Sequence, residues 1–226
     1  MADSNIGSGG NDILVPEEQA GSIDVVELNF EIDGEEISGT EVAIAAPVSE
    51  LTTKIQPGDN FVFAGKKQSD STITIKKSEE GSSSVLRLEN TLNDNVEIKA
   101  KKGNTIDLRI AEGKFRKSEF TAGKGKQEDS VEIGSSAKLI NSSFDLNKGD
   151  DTFTLSGGVK LKGTNTVDLG KGGTDTVIIG QNTTGKGKLV IENMDKRDTL
   201  SYGGEEYTKK QILKGEADLP GFLELG

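Results

Sequence analysis

The chain has 226 residues, a net charge of −11, no Cys, no His and no Trp. That composition excludes disulfides, thiol nucleophiles, thiolate metal sites and imidazole acid–base chemistry, so any metal site must be built from oxygen ligands and would favour Ca²⁺ or Mg²⁺. Hydrophobic residues make up only 32% and aromatics 4%, which points away from one wide core and towards a thin core of small apolar residues repeated along an axis.

Charge is unevenly placed. Residues 1–60 carry 13 acids and one base, Lys54, a net of −12. Residues 61–126 carry nine acids and 14 bases, a net of +5, and residues 127–226 a net of −4. Such a distribution reads as the solvated faces of a soluble protein, or as an acidic end that meets the basic middle of a neighbouring subunit. The basic stretch has few aromatics, so nucleic acid is not the expected partner. Residues 1–22 lack the basic start and apolar run of a signal peptide, and no stretch is long and apolar enough to suggest a membrane partner.

In chain order, residues 1–21 read as an extended acidic arm with no periodicity. Residues 22–60 read as a small N-terminal β cap. Within it, Val25 to Ile37 suggests a hairpin about Asp33-Gly34. Pro47 to Ile55 suggests a short helix with Pro47 in its first turn, followed by a turn at Gly58-Asp59.

Residues 61–203 read as a β-repeat body. Asp129-Ser-Val-Glu-Ile, Asp151-Thr-Phe-Thr-Leu, Asp175-Thr-Val-Ile-Ile and Asp198-Thr-Leu-Ser-Tyr start 22, 24 and 23 residues apart. Asn104-Thr-Ile-Asp-Leu, 25 residues before Asp129, extends the series. A second set, Phe120-Thr-Ala, Phe144-Asp-Leu and Val167-Asp-Leu, is spaced by 24 and 23, and Val190 continues it 23 residues on. Each run alternates apolar and polar residues as a half-buried strand does, and Gly, Asn and Asp separate the runs as turns. The expected fold is all-β: an elongated β-solenoid of about 23 residues per coil, with Asp and Thr stacked in ladders. An antiparallel β-sandwich is the alternative.

Residues 204–226 read as a C-terminal cap. Tyr207 to Gly215 suggests a strand end leading into a short helix with Gly215 at its C-terminus. Phe222, Leu223 and Leu225 would then close the last coil.

Two stretches share a pattern. Gly170-Lys-Gly-Gly-Thr-Asp-Thr-Val and Gly7-Ser-Gly-Gly-Asn-Asp-Ile-Leu both place Asp two residues after a Gly. They resemble the Gly-Asp nonapeptide repeats of RTX, or hemolysin-type, calcium-binding β-rolls. Gly170, Gly173, Asp175 and Val177 match that pattern in one copy, and Gly7, Gly10, Asp12 and Leu14 in the other. Lys171 and Ser8 stand where a Gly is expected. A third stretch keeps Gly149, Asp151 and Phe153. The resemblance implies Asp12, Asp151 and Asp175 as Ca²⁺ candidates. No copy is followed by another nine residues on, so the second half of each ion cage is missing locally. Turn chemistry alone accounts for the pattern too: glycines to bend the chain and Asp175 to tie the turn amides.

The coil repeat, the missing His and Cys and the acidic arm also resemble virion proteins of tailed phages. That likeness implies a non-enzymatic capsid decoration, cement or tail protein, docked on capsid or tail proteins, as a homo-oligomer that could be a trimer. Two other readings stand beside it: an extracellular calcium-binding adhesin, and a depolymerase using paired carboxylates such as Asp150 with Asp151, or Asp145 with Asp168. The Lys-Gly pairs read most simply as solvated turns, since Gly185-Lys-Gly-Lys lacks the phosphate-loop pattern.

Overall fold

The computed structural model describes residues 91–226 continuously. Before them it describes 23–26, 30–32, 35–37, 41–44, 48–49, 52–55, 58, 60–63, 67–77 and 82–89. Asp12 and the rest of the 1–21 segment lie outside the described residues.

The strands are β1 (Ile23–Val26), β2 (Phe30–Ile32), β3 (Glu35–Ile37), β4 (Glu41–Ile44), β5 (Val48–Ser49), β6 (Thr52–Ile55), β7 (Asn60–Phe63) and β8 (Gln68–Ile75). They continue as β9 (Ser82–Leu88), β10 (Leu92–Ala100), β11 (Asn104–Arg116), β12 (Glu119–Thr121), β13 (Ser130–Ile140) and β14 (Ser143–Asp145). The last coils hold β15 (Thr152–Leu155), β16 (Lys160–Lys162), β17 (Thr164–Asp168), β18 (Thr176–Ile179), β19 (Thr184–Gly185) and β20 (Lys188–Glu192). The end of the chain holds β21 (Thr199–Tyr202), β22 (Glu205–Thr208), the helix α1 (Lys209–Leu213) and β23 (Leu223–Leu225).

From β4 onward the chain winds into a β-solenoid of about 6 turns with a period of about 24 residues. Each coil contributes strand to three parallel ladders. The first face runs β4–β7–β9–β11–β13–β15–β18–β21. The second runs β5, the start of β8, the start of β10, the end of β11, the end of β13, β16 and β19. The third runs β6–β8–β10–β12–β14–β17–β20–β23. Parallel pairing of equivalent strands rules out the sandwich alternative, whose neighbouring strands would alternate in direction.

Period-two alternation sends every second side chain inward, where coils stack like on like. Phe61, Leu86, Leu108, Val131, Phe153, Val177 and Leu200 form one buried column on the first face. Ile73, Ile98, Phe120, Phe144, Val167 and Ile191 form one on the third. Phe144 bridges the faces: its ring lies 5.5 Å from Phe115 of the second face and 5.3 Å from Phe153 of the first. One chain thus fills a narrow triangular interior without any Trp.

Four details differ from the sequence expectation. Val131 pairs with Leu108, so Ile106 and not Asn104 is the coil equivalent of Asp129. Val167 pairs with Ile191, not Val190, because Ile191 is the residue whose side chain points inward. Residues 47–55 contain β5 and β6 in place of a helix. The run Thr52-Thr53-Lys54-Ile55 is rich in β-branched residues and pairs in register with β8. The ladders also begin at β4, upstream of residue 61.

At the N-terminal side, β1 lies antiparallel to β4, and β2 to β3, flanking residues 33–34. At the C-terminal end, β22 turns back antiparallel on β21. Thr208 then caps α1 through a capping box with Gln211, and Gly215 (φ 72°) ends it, its N–H bonded to the Ile212 carbonyl. Leu219, Phe222, Leu223 and Leu225 pack on the end of the core.

Candidate functional site

The chemistry-bearing residues gather at one corner, where the third face turns into the first. Its glycine-rich turns are 122–129, 146–151 and 169–175, with 193–198 in the final coil. On the inside of this corner stand Asp129, Asp151, Asp175 and Asp198, each at most 2% exposed.

These four carboxylates hold the coils to one another. Oδ1 of Asp198 accepts the N–H of Asp175 at 3.0 Å, and Oδ1 of Asp175 accepts that of Asp151 at 2.9 Å. Oδ1 of Asp151 accepts the N–H of Asp129 at 2.7 Å, and Oδ1 of Asp129 accepts that of Ile106 at 2.7 Å. The bend at each corner takes one amide out of the backbone ladder, and the carboxylate one coil on replaces its lost partner. The second oxygens of Asp129 and Asp151 are buried without a hydrogen-bond partner.

Burial raises these carboxyls well above the ordinary range. Asp129 is pushed up to about 8, mainly by desolvation, with Asp151 adding repulsion and the Ile106 N–H opposing. Asp151 rises to about 7 and Asp175 to about 6 for the same first reason, each repelled by the next aspartate in the ladder.

The sequence-derived carboxylate pairs separate in space. Asp151 points inward, whereas Asp150 is exposed and its Oδ1 accepts the N–H of Thr174 at 2.8 Å. Asp145 and Asp168 are register partners on the third face. Each closes its own turn, to the N–H of Asn147 at 3.0 Å and of Gly170 at 2.8 Å. Asp151 and Asp175 therefore sit in the ladder, each with one oxygen bound to a backbone amide. Among the described residues no group of three or more carboxylates is arranged to hold a metal ion.

A neutral counterpart occupies the corner between the second and third faces. Ser118 Oγ accepts the N–H of Val96 at 3.0 Å, and Asn165 Oδ1 that of Ser142 at 3.2 Å. Ser142 Oγ lies 3.4 Å from the N–H of Ser118. The sequence pattern did not single out these residues, because Ser, Ser and Asn do the same job with different names.

Outside the aspartate corner, a second feature emerges only from the register. Lys77, Lys102, Lys124, Lys148 and Lys171 each stand three residues beyond the aligned column Thr74, Lys99, Thr121, Asp145 and Asp168. The pairing continues through the turn, where the Lys171 N–H donates to the Asn147 carbonyl at 3.0 Å. All five lysines are exposed. Two adjoining depressions, sharing Lys126 and Lys148, form an open groove along Lys102, Lys124, Lys148 and Lys171, with Asp150 the one acid on its wall.

No known protein family, curated protein or solved structure matches this chain.

Proposed function

We propose that this chain is a non-enzymatic structural protein of a virion, a decoration, cement or tail component that docks on its assembly through its surface and its acidic N-terminal segment. The observation that carries this reading is the aspartate ladder. Among the described residues the carboxyls raised furthest, Asp129, Asp151 and Asp175, are tied to backbone amides of adjacent coils. Perturbed carboxyls in a cleft would argue for acid–base chemistry; here they stand inside the wall and join one coil to the next. A rod built this way is suited to rigid display. The net charge of −12 over residues 1–60 supplies a docking end that is electrostatically distinct from the rest.

The test is attachment. Antibody labelling of purified particles from the virus that encodes the chain should place it on the particle surface, and a chain lacking residues 1–21 should fold but fail to attach. Recovery only in particle-free fractions would remove the virion reading. Normal attachment of the shortened chain would remove the role of the acidic segment.

A further inference from the structure

We infer that the row of lysines along the glycine-rich corner is a binding site for a linear anionic polysaccharide, laid along the solenoid axis with one charged sugar per coil. This site is separate from the docking reading above and does not rest on it.

Four observations carry the inference. First, Lys102, Lys124, Lys148 and Lys171 each follow a residue of the third-face ladder by three positions, and the ladder strands stack about 4.8 Å apart; one backbone hydrogen bond, from the Lys171 N–H to the Asn147 carbonyl, carries the stacking into the turn. Consecutive sugars of an extended polysaccharide advance by a similar step. Second, among the described residues the row forms no salt bridges, although Asp150 lies on the wall and Lys124 acts on Asp145 at longer range. Among the described residues, no carboxylate lies within ion-pair distance of Lys102, Lys124, Lys126, Lys148 or Lys171, while Arg87, Arg109, Arg116 and Arg197 each have an acidic partner. In a chain with 38 acids and 27 bases, a cluster of like charges lining one groove without salt bridges is unfavourable by itself and is relieved by an anion spanning it.

Third, Gly125, Gly149, Gly172 and Gly173 line the groove together with the polar side chains of Gln127 and Asn147, so neither bulky nor apolar groups stand between the lysines. Fourth, no aromatic side chain lines the groove. Neutral sugars and single-stranded nucleic acid both rely on aromatic platforms for stacking, so charge is the recognition chemistry offered here. Lysine suits it, as a mobile point charge that meets carboxylate or sulfate. The row ends in the last coil, where Asp195 takes the lysine position and pairs with Arg197.

A second lysine column, Lys114, Lys138 and Lys160, lies on the second face and provides the control. Fluorescence anisotropy with labelled polygalacturonate, on the full chain at low salt, should detect binding that weakens as salt rises. The triple variant K124Q/K148Q/K171Q should weaken it by at least ~10-fold, about 1.4 kcal/mol or more. The triple variant K114Q/K138Q/K160Q, of equal charge change, should leave it within about threefold. Absence of polygalacturonate binding would overturn the inference. So would equal losses in the two triple variants, which would mean diffuse attraction. Binding of oligothymidylate as tight as that of polygalacturonate would also overturn it. Circular dichroism of both variants secures that each is folded.

Discussion

The N–H of Asp151 donates to Oδ1 of Asp175 at 2.9 Å, one coil further along the chain. Asp129 stands in the same relation to Asp151 at 2.7 Å. The side chain thus replaces a backbone acceptor at the corner, and it does so with a group whose charged form is poorly solvated there. The same bond could be made by a neutral oxygen, as Asn165 makes it at the neighbouring corner. The aspartates consequently make the stability of the rod depend on pH.

Burial raises Asp129, Asp151 and Asp175 to about 8, 7 and 6, above the value near 3.8 of the free side chain. The folded state therefore holds more protons than the unfolded chain between those limits, and stability falls as pH rises through that window. Thermal unfolding followed by circular dichroism should give a Tm higher at pH 5 than at pH 9 by about 5 °C or more. Asp151→Asn keeps an acceptor oxygen and removes the charge. It should flatten this dependence and raise the Tm at pH 9 by about 3 °C relative to the parent chain. A Tm that climbs from pH 5 to pH 9 would contradict the buried-ladder account.

Much of this ladder was legible in the sequence, because Asp-Thr or Asp-Ser followed by alternating apolar residues marks the corner in four coils. The register was less legible. Asn104-Thr105 imitates the corner, yet Leu108 is the residue that stacks on Val131, two positions out of step with the imitation. A two-residue slip keeps the inward and outward faces, so hydrophobicity cannot detect it. Val190 and Ile191 raise the opposite problem: adjacent β-branched residues fit either face, and only pairing with Val167 chooses. The serine–asparagine corner and the lysine row were hidden for another reason. Their residues acquire meaning by stacking across coils, and spacings that vary from 22 to 25 residues blur that phase in the linear sequence.

Gly173 offers a test of corner geometry. Its φ is +107°, and an added Cβ would lie 1.5 Å from the carbonyl oxygen of Gly149 in the preceding coil. The neighbour is backbone fixed by the ladder and cannot swing aside. Gly173→Ala should destabilise the protein by about 2–4 kcal/mol in urea titrations. Lys171→Ala, on the exposed side of the same turn, should change stability by less than ~0.5 kcal/mol. Equal effects would mean that the turn is not closely stacked on its neighbour.

Phe153 tests the interior. It is fully buried on the first face and touches Phe144 across the core. Phe153→Ala should be destabilising by about 3–5 kcal/mol, because the filled columns above and below prevent collapse into the space. Phe153→Leu should restore most of that loss, since the equivalent position in the next-but-one coil, Leu200, is already a leucine.

Asp151 and Asp175 also allow the calcium reading to be tested directly. Each has one oxygen bound to a backbone amide inside the wall. Ca²⁺ requires six to eight oxygen ligands, more than the ladder presents at one level. The Tm should therefore be the same, within ~1 °C, in EDTA and in millimolar Ca²⁺. A large rise on adding Ca²⁺ would restore an RTX-like role for these residues.

The C-terminal cap has a function that follows from the ladders. β21 is the last strand of the first face, and β22 covers it by running antiparallel, with Leu200 paired to Tyr207. β23 covers β20 on the third face, with Leu223 beside Leu189. Without these strands two parallel ladders would end in open edges above an exposed core, a template for adding further coils. Removing residues 204–226 should therefore convert the protein into a self-associating form, visible as concentration-dependent growth in light scattering, while the circular dichroism spectrum stays β-rich. Substituting Lys for Leu223 and Leu225 in the full chain should produce a weaker form of the same behaviour, because it displaces only the third-face cover. A shortened chain that stays small at all concentrations would show that the cap serves some end other than blocking the edge.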